Sequence, residues 1–112
     1  MVNKSPEAIV VLMTAANREE AGRIAEMLVD DGLAACVQIL PEIQSVYRWK
    51  GETRREKEVL LLAKTTRVRF DELASRVEAV HSYETPEIIA LPIVDGAENY
   101  LKWLVGSSPK GS

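Results

Sequence analysis

The chain has 112 residues, of which 46% are hydrophobic and 28% are charged, and its formal net charge is -3 at pH 7. This is enough apolar material for one core, so we expect a single domain over residues 1–107, followed by a polar tail at 108–112. The mixed charges exclude the basic surface of a nucleic-acid-binding protein. No stretch approaches the roughly 20 apolar residues of a membrane span. The single cysteine allows no internal disulfide, which favours the reducing cytoplasm.

The N-terminal third of the sequence predicts a strand followed by a helix. Residues 8–13 are continuously apolar and rich in β-branched side chains, which is typical of a strand buried on both faces. Asn17 and Glu20 have the spacing of an N-terminal capping box, and apolar residues follow at helical spacing. Gly32 supplies a left-handed stop, so we expect the helix to lie between these signals.

The next two segments predict one long hairpin. Residues 34–49 are extended with an interruption at Pro41, and residues 53–64 return as TRREKEVLLLAK. An arm of about 14 to 16 residues at ~3.3 Å each reaches ~45–50 Å. A compact chain of this length is only roughly 35 Å across. The hairpin is therefore expected to bend at Pro41 or to project beyond its own core.

The tip of this hairpin carries two large aromatic side chains, Tyr47 and Trp49. Large apolar surfaces are costly to leave in water, and an open strand edge invites pairing with another chain. We therefore expect another subunit to cover the tip, which makes these two residues candidates for the interface of a trimer once the family resemblance below is considered.

The second half of the sequence predicts a helix, a strand and a further helix. Thr66 occupies a cap position before a helical apolar set that ends ahead of the proline in HSYETPEI. Residues 87–94 predict a fourth strand, and Pro92 marks it as an edge strand or a bulge. Asp95 and Glu98 have the spacing of a second capping box. The order of elements predicts an α+β, ferredoxin-like βαββαβ domain with a C-terminal helix.

Few residues have the pattern of a catalytic site. Cys36 and the only histidine, His81, could pair in space as nucleophile and base, but a cysteine on an apolar strand is more often a small buried hydrophobe. The six glycines form neither a phosphate loop nor a dinucleotide-binding motif. Thiol catalysis is therefore an alternative to a binding function.

Two short stretches have the composition of ligand sites. In KTT, Lys64 lies beside a predicted helix start, which is the chemistry of an anion site, although a helix cap with a surface lysine is the simpler interpretation. HSYETPE holds His81, Glu84 and Glu87, which could bind a divalent metal ion. The alternative is a helix end whose partial negative charge favours an imidazolium, followed by an extended residue before proline.

Several motifs coincide in order and spacing over residues 8–104. They are VLMTAANREEA, GLAACVQILPEIQSVYRWKGE, EVLLLAKTT, HSYETPEIIALPI and YLKWL. Together they closely resemble the CutA family of divalent-cation tolerance proteins. The resemblance implies a ferredoxin-like subunit in a tight homotrimer, with long hairpins paired across subunits, and an architecture similar to that of the PII signalling proteins.

The resemblance also implies candidate site residues. Copper binding is reported for some members of the family, and the positions implicated there correspond here to Met13, Val80 and His81. The histidine is unchanged and the methionine keeps a soft thioether, whereas the valine cannot bind a metal. The resemblance further implies an intersubunit ligand cleft formed by Cys36, Trp49, Lys64, Tyr83, Glu84 and Glu87.

These observations predict a cytoplasmic homotrimer of the divalent metal response, copper foremost, that binds a metal ion or small ligand without catalysis and requires no cofactor. Two alternatives stay open. One is a PII-like sensor of a small anionic metabolite, and the other is a thiol-dependent enzyme that uses Cys36 and His81. Nucleic acid and membranes are not expected as partners.

Overall fold

The structure is a computed structural model that describes residues 7–107, so the predicted polar tail lies outside the described residues. No helix in this range is long and apolar enough to cross a membrane. The elements follow the predicted order, with a 3₁₀ turn at Arg67–Arg69. In chain order they are β1 (Ala8–Ala15), α1 (Arg18–Asp30), β2 (Cys36–Trp49), β3 (Glu52–Thr66), α2 (Phe70–Val80), β4 (Ile88–Pro92) and α3 (Glu98–Ser107).

The four strands form one antiparallel sheet in the order β2-β3-β1-β4. The two inner strands, β3 and β1, pair over the whole length of β1. β4 is the edge strand that Pro92 indicated, although it is shorter than predicted. This strand order, with α1 and α2 packed on one face and α3 added at the end, is the ferredoxin-like arrangement, so the predicted fold class is confirmed.

Strand alternation produces the core. Odd-numbered residues of β1 and β3 face α1 and α2, and even-numbered residues face the other way. The large side chains most completely buried in this layer are Val11, Met13, Ile24, Leu28, Leu33, Leu61, Leu73 and Val77. Because burying one such side chain contributes roughly 1.5–3 kcal/mol, this layer stabilises the fold on which the hairpin is mounted.

The opposite face of the sheet is only partly covered. α3 packs across β3 and β1, and its Leu104 is fully buried. Elsewhere on this face Leu40, Ile89 and Leu91 are 39–48% exposed. Exposed apolar side chains on a sheet face are a feature of many protein interfaces. The homotrimer implied by the family resemblance stays a prediction.

Both predicted boundary signals of α1 are confirmed. Oδ1 of Asn17 accepts a hydrogen bond from the Glu20 N–H at 2.8 Å, and Gly32 ends the helix with a φ of 71°. The Glu20 carboxylate departs from an ordinary capping box, because it accepts from the Ala16 N–H at 3.0 Å instead of from the cap residue. The start of α1 is thus held by two side chains.

The β2–β3 hairpin projects as predicted. Its arms are 14 and 15 residues long, and the described part of the chain measures 47 × 30 × 22 Å. The strand register shifts between Leu40 and Ile43, so the interruption expected at Pro41 is a bulge. At the tip, Lys50 and Gly51 have φ angles of 51° and 80°, the positive pair that a two-residue type I′ turn requires.

Two predicted helix caps are wrong. Thr66 makes no capping hydrogen bond, because its hydroxyl is turned into the protein and Oγ1 is buried without a hydrogen-bond partner in the described range. A 3₁₀ turn follows, and α2 begins at Phe70. Oδ1 of Asp95 accepts from the Gly96 N–H at 2.9 Å, and α3 begins only at Glu98, so this pair forms no capping box.

Two glycine substitutions test the backbone assignments in opposite directions. Gly22 lies inside α1 and an added Cβ meets nothing within 4 Å, so Gly22→Ala should raise the free energy of unfolding by about 0.5–1 kcal/mol. Gly51 also has open space but a positive φ, so Gly51→Ala should lower it by roughly 1–2 kcal/mol. Guanidinium unfolding measures both changes. Shifts of the same sign would contradict the assigned turn or the assigned helix.

Candidate ligand cleft

A cavity of about 470 Å³, here termed the hairpin cleft, lies between the β2–β3 hairpin and the segment that joins α2 to β4. The hairpin contributes Tyr47, Trp49, Arg54, Glu56 and Glu58, the joining segment contributes Tyr83, Glu84, Thr85 and Glu87, and β1 contributes Thr14. Four of the six residues in the predicted ligand cleft therefore share one cavity within a single chain.

Strand alternation explains why the hairpin residues meet there. Cross-strand pairing sets Tyr47 opposite Arg54, and Ser45 opposite Glu56. Directly opposed residues in an antiparallel pair share a face, and every second residue returns to it. The tight turn after Trp49 keeps this register up to the bulge, so both arms direct alternate side chains toward the joining segment.

The hairpin cleft is strongly acidic. Its charged lining consists of Glu56, Glu58, Glu84, Glu87 and Arg54. Four carboxylates against one guanidinium attract cations and repel anions. This charge disfavours the anionic-metabolite alternative at this position.

Glu58 is the most firmly held of these carboxylates. Ser45 Oγ donates to its Oε1 at 2.6 Å, and the Tyr83 hydroxyl donates to its Oε2 at 2.7 Å. A carboxylate has about four acceptor positions, so one hydrogen bond to each oxygen leaves further lone pairs available. Glu58 is therefore oriented in advance and retains the capacity to bind a cation.

The Tyr83 phenol remains a proton donor over an extended pH range. Its burial raises the pKa, and the hydrogen bond to Glu58 and the negative charges of Glu58, Glu56 and Glu20 raise the pKa further. Removing the phenolic proton would place a second negative charge against the Glu58 carboxylate. The contact between the two side chains is thus a hydrogen bond from a neutral phenol to an anion.

The side chain of His81 is buried, and both ring nitrogens are hydrogen-bonded. Nε2 lies 2.7 Å from the Thr14 carbonyl oxygen, and Nδ1 accepts from the Tyr83 N–H at 3.0 Å. A carbonyl can only accept and an N–H can only donate, so this pattern assigns the neutral tautomer with the proton on Nε2. The side chain is fully shielded from solvent. A metal ion at His81 would first have to displace one of these two partners.

Met13, the other candidate ligand, lies in the apolar core at 1% exposure. Val80, the third position that the family resemblance implies, is about half exposed at the end of α2. Within residues 7–107, no group of three or more His, Cys, Asp or Glu side chains is arranged to hold a metal ion. The assignment of Met13 and His81 as metal ligands stays a prediction.

Glu20 lies behind the hairpin cleft and is almost completely buried. Its carboxylate accepts from the N–H groups of Ala16 and Ser82 and from the Ser82 hydroxyl. Burial alone would raise the pKa of Glu20, but the hydrogen bonds from Ala16 and Ser82 hold the pKa below its ordinary value. The charged form is thus the one that this site stabilises.

Two residues of the predicted ligand cleft lie elsewhere in a single chain. Cys36 and Lys64 face each other across β2 and β3, outside the hairpin cleft. The Lys64 ammonium donates to the side-chain oxygen of Gln38. Burial and the nearby Cys36 sulfur raise the pKa of the Tyr100 phenol. Within a single chain, neither Cys36 nor Lys64 is therefore part of the acidic lining of the hairpin cleft.

The thiol and imidazole of the enzyme alternative are also apart within one chain. Cys36 pairs with Lys64, and Lys64 pairs in turn with Val10 of β1. His81 is hydrogen-bonded to Thr14, which lies four residues farther along β1. Four residues of a strand span about 13 Å. Within one chain, His81 is therefore out of reach as a base for the Cys36 sulfur.

Sequence reasoning missed several residues of this region. Pairing the two arms outward from the Lys50-Gly51 turn would have placed Glu56 and Glu58 on the same face of the hairpin as Tyr47. The register that this requires is regular up to the bulge. No local pattern marks Glu20, since its capping spacing gives no sign of the contact with Ser82, 62 residues away. That contact depends on tertiary structure alone.

The fold and the cleft together define the class of the protein: a small ferredoxin-like α+β domain whose long hairpin overhangs an acidic, aromatic cavity. The chain belongs to the CutA1 divalent ion tolerance protein family, whose profile matches residues 9–107. This confirms the family resemblance found in the sequence motifs.

Individual relatives agree with this family. A divalent-cation tolerance protein CutA from Thermus thermophilus is 52% identical over 95 residues, which are 85% of this chain and 92% of the relative. A solved structure of Cut A1 from Thermus thermophilus has a TM-score of 0.89 at 48% identity, covering 91% of this chain and 99% of that chain. The chloroplastic CutA protein of Arabidopsis thaliana is 43% identical over 106 residues, which are 95% of this chain but 58% of the plant protein. This chain thus spans little more than half of that plant relative.

The lowered pKa of Glu20 predicts a specific dependence of stability on pH. Because the folded carboxyl binds its proton less tightly than the unfolded one, its contribution is present above the ordinary value of 4.5 and is lost as the pH falls through the lower folded value. Glu20→Gln should therefore cost about 1–3 kcal/mol at neutral pH, and this difference should shrink below pH 4.5.

Urea unfolding of the two proteins across this pH range measures the effect. Glu26→Gln, an exposed position on the same helix, serves as the control and should follow the wild-type curve. If the deficit of Glu20→Gln were constant with pH, its carboxylate would not be the group responsible.

Proposed function

We propose that this protein is a homotrimeric, non-catalytic member of the divalent metal response that binds a divalent cation, Cu²⁺ foremost, in the hairpin cleft. The observation that carries this proposal is the oriented Glu58 carboxylate, held by Ser45 and Tyr83 within an acidic lining. Membership in a divalent ion tolerance family supports a cation as the ligand.

The chemistry of the lining suits a divalent cation. Carboxylate oxygens bind divalent ions, and for a given set of N or O donors the affinity rises along the first-row series to a maximum at Cu²⁺. Glu84 and Glu87 line the same cleft and are exposed, so their side chains can rotate toward an ion beside Glu58. Copper is therefore the most sensitive probe of this cleft.

A neighbouring subunit completes the cleft in this proposal. One chain alone offers no preformed group of three ligands in the described range, and the tip residues Tyr47 and Trp49 are 38% and 51% exposed. The half-covered apolar face of the sheet supplies a surface for association. A site shared between subunits would bind its ion only in the assembled trimer, in keeping with the PII-like architecture.

A binding role is favoured over catalysis because Cys36 and His81 are held apart within a chain and His81 is engaged at both nitrogens. The cytoplasm is the proposed location, supported by the single unpaired cysteine. The chloroplastic name of the plant relative applies to that longer protein.

Titration calorimetry with Cu²⁺ tests the ion site. Wild type should bind Cu²⁺, and Glu58→Gln should weaken binding about tenfold or more, because the amide replaces a charged donor. Glu26→Gln is the matched control, since it removes one exposed carboxylate outside the cleft. Equal affinities for all three proteins would exclude the hairpin cleft as the ion site.

Light scattering tests the assembly. Tyr47→Glu combined with Trp49→Glu should lower the mass from that of a trimer, because two charges would be buried at the subunit contact. Val68→Glu, at an 84% exposed position outside the hairpin, should leave the mass unchanged. A trimer that survives the double substitution would contradict the role of the hairpin tip in the interface.

A further inference from the structure

We propose that Glu20 is a positioning residue for the hairpin cleft, acting through Ser82, His81 and Tyr83 on Glu58. Glu20 does not line the cleft and is 4% exposed. The predicted effect of Glu20 on Cu²⁺ affinity rests on the function proposed above. The positioning of Tyr83 and Glu58 can be measured in the protein without ligand.

The first step joins α1 to the segment before β4. Oε1 of Glu20 accepts from the Ala16 N–H at 3.0 Å and from the Ser82 hydroxyl at 3.1 Å, while Oε2 accepts from the Ser82 N–H at 2.7 Å. A residue that served only to start α1 would need only the Ala16 contact. The remaining contacts hold the backbone of Ser82 at a fixed distance from α1.

The second step orients Tyr83. His81, on the other side of Ser82, anchors to the Thr14 carbonyl through Nε2 and accepts from the Tyr83 N–H through Nδ1. The two rings lie with centroids 4.7 Å apart and planes tilted by 47°. The backbone and the ring of Tyr83 are thus both held by His81, which needs its neutral form to accept the N–H.

The third step reaches the cleft. The Tyr83 hydroxyl donates to Oε2 of Glu58 at 2.7 Å, and the other oxygen is held by Ser45. Displacement of the segment around Ser82 would move the phenol and leave Glu58 with Ser45 as its only remaining hydrogen-bond donor among these contacts. A buried carboxylate on α1 therefore governs the geometry of a cleft carboxylate on β3.

Glu20→Gln tests the proposal with little change in shape. One carboxylate oxygen becomes an NH₂ donor, which faces an existing N–H donor of either Ala16 or Ser82 in whichever orientation it adopts. The segment from His81 to Tyr83 should then shift. Tyrosine labelled with ¹³C at Cζ reports the hydrogen bonding of each phenol, and the three signals are assigned by single Tyr→Phe substitutions.

In Glu20→Gln the Cζ signal of Tyr83 should move while those of Tyr47 and Tyr100 stay in place. Glu26→Gln, on the exposed side of the same helix, should leave all three unchanged. An unmoved Tyr83 signal would overturn the positioning role. If Glu20→Gln does not fold, Glu20→Asp carries the same test, because the carboxylate is then one methylene too short to accept from both Ala16 and Ser82.

Affinity for Cu²⁺ provides the second measurement. Glu20→Gln should weaken binding about tenfold, the scale typical of changes behind a metal ligand. In a Tyr83→Phe background the same change should have almost no further effect, because the route through the phenol is already broken. If Glu20→Gln weakened Cu²⁺ binding as much in the Tyr83→Phe background as in the wild type, the route through Tyr83 would be overturned.

The two proposals fail in distinguishable ways. A wild-type protein that does not bind Cu²⁺, with a Tyr83 signal that moves in Glu20→Gln, overturns the ion site and supports the positioning role. A protein that binds Cu²⁺, with a Tyr83 signal that does not move, supports the ion site and overturns the positioning role.

Discussion

The buried carboxylate of Glu20 is the interaction on which the arrangement of this protein most depends. A charge at 4% exposure is costly unless it is fully hydrogen-bonded. Here three donors from two distant segments satisfy it, so the same group that starts α1 also fixes the turn that follows α2. The α1 helix packs on one face of the sheet, while the hairpin cleft involves Thr14 on the other face of β1. The Glu20 contacts therefore connect the apolar core to the acidic cavity.

The hairpin imposes the second constraint. Two arms of 14 and 15 residues cannot fit over a core of this size, so the outer half extends beyond it with a strict alternation of side chains. That alternation gathers aromatic and acidic groups on one face, and the bulge near Pro41 changes the register between this half and the half that belongs to the core. The cleft thus forms where a projecting ribbon meets the joining segment, and Tyr83 and Glu58 close the contact between them.

The parts of the fold that were predictable are those determined by local pattern. A continuous apolar run identified β1 and apolar periodicity identified α1, the Asn17 cap and the Gly32 stop were correct, and hairpin length alone indicated either a bend at Pro41 or a projection. The caps at Thr66 and Asp95 failed because each side chain found a different environment, buried in one case and bonded to the next residue in the other. The candidate site was only half predictable: family motifs identified Tyr83, Glu84 and Glu87, but Glu58 and Glu20 act through contacts 25 and 62 residues apart in sequence.

His81 changes meaning once its partners are known. As an isolated histidine near two glutamates it has the composition of a metal ligand, yet its Nδ1 lone pair is used by the Tyr83 N–H and its Nε2 proton by the Thr14 carbonyl. A cation that bound there would have to break a contact that also orients the Tyr83 ring, and through it Glu58. The cleft carboxylates impose no such conflict, because Glu58 keeps lone pairs after accepting from Ser45 and Tyr83. If the proposed ion binds in this cleft, oxygen donors at the surface would be its primary ligands, and the buried imidazole would act behind them by keeping its two hydrogen bonds intact.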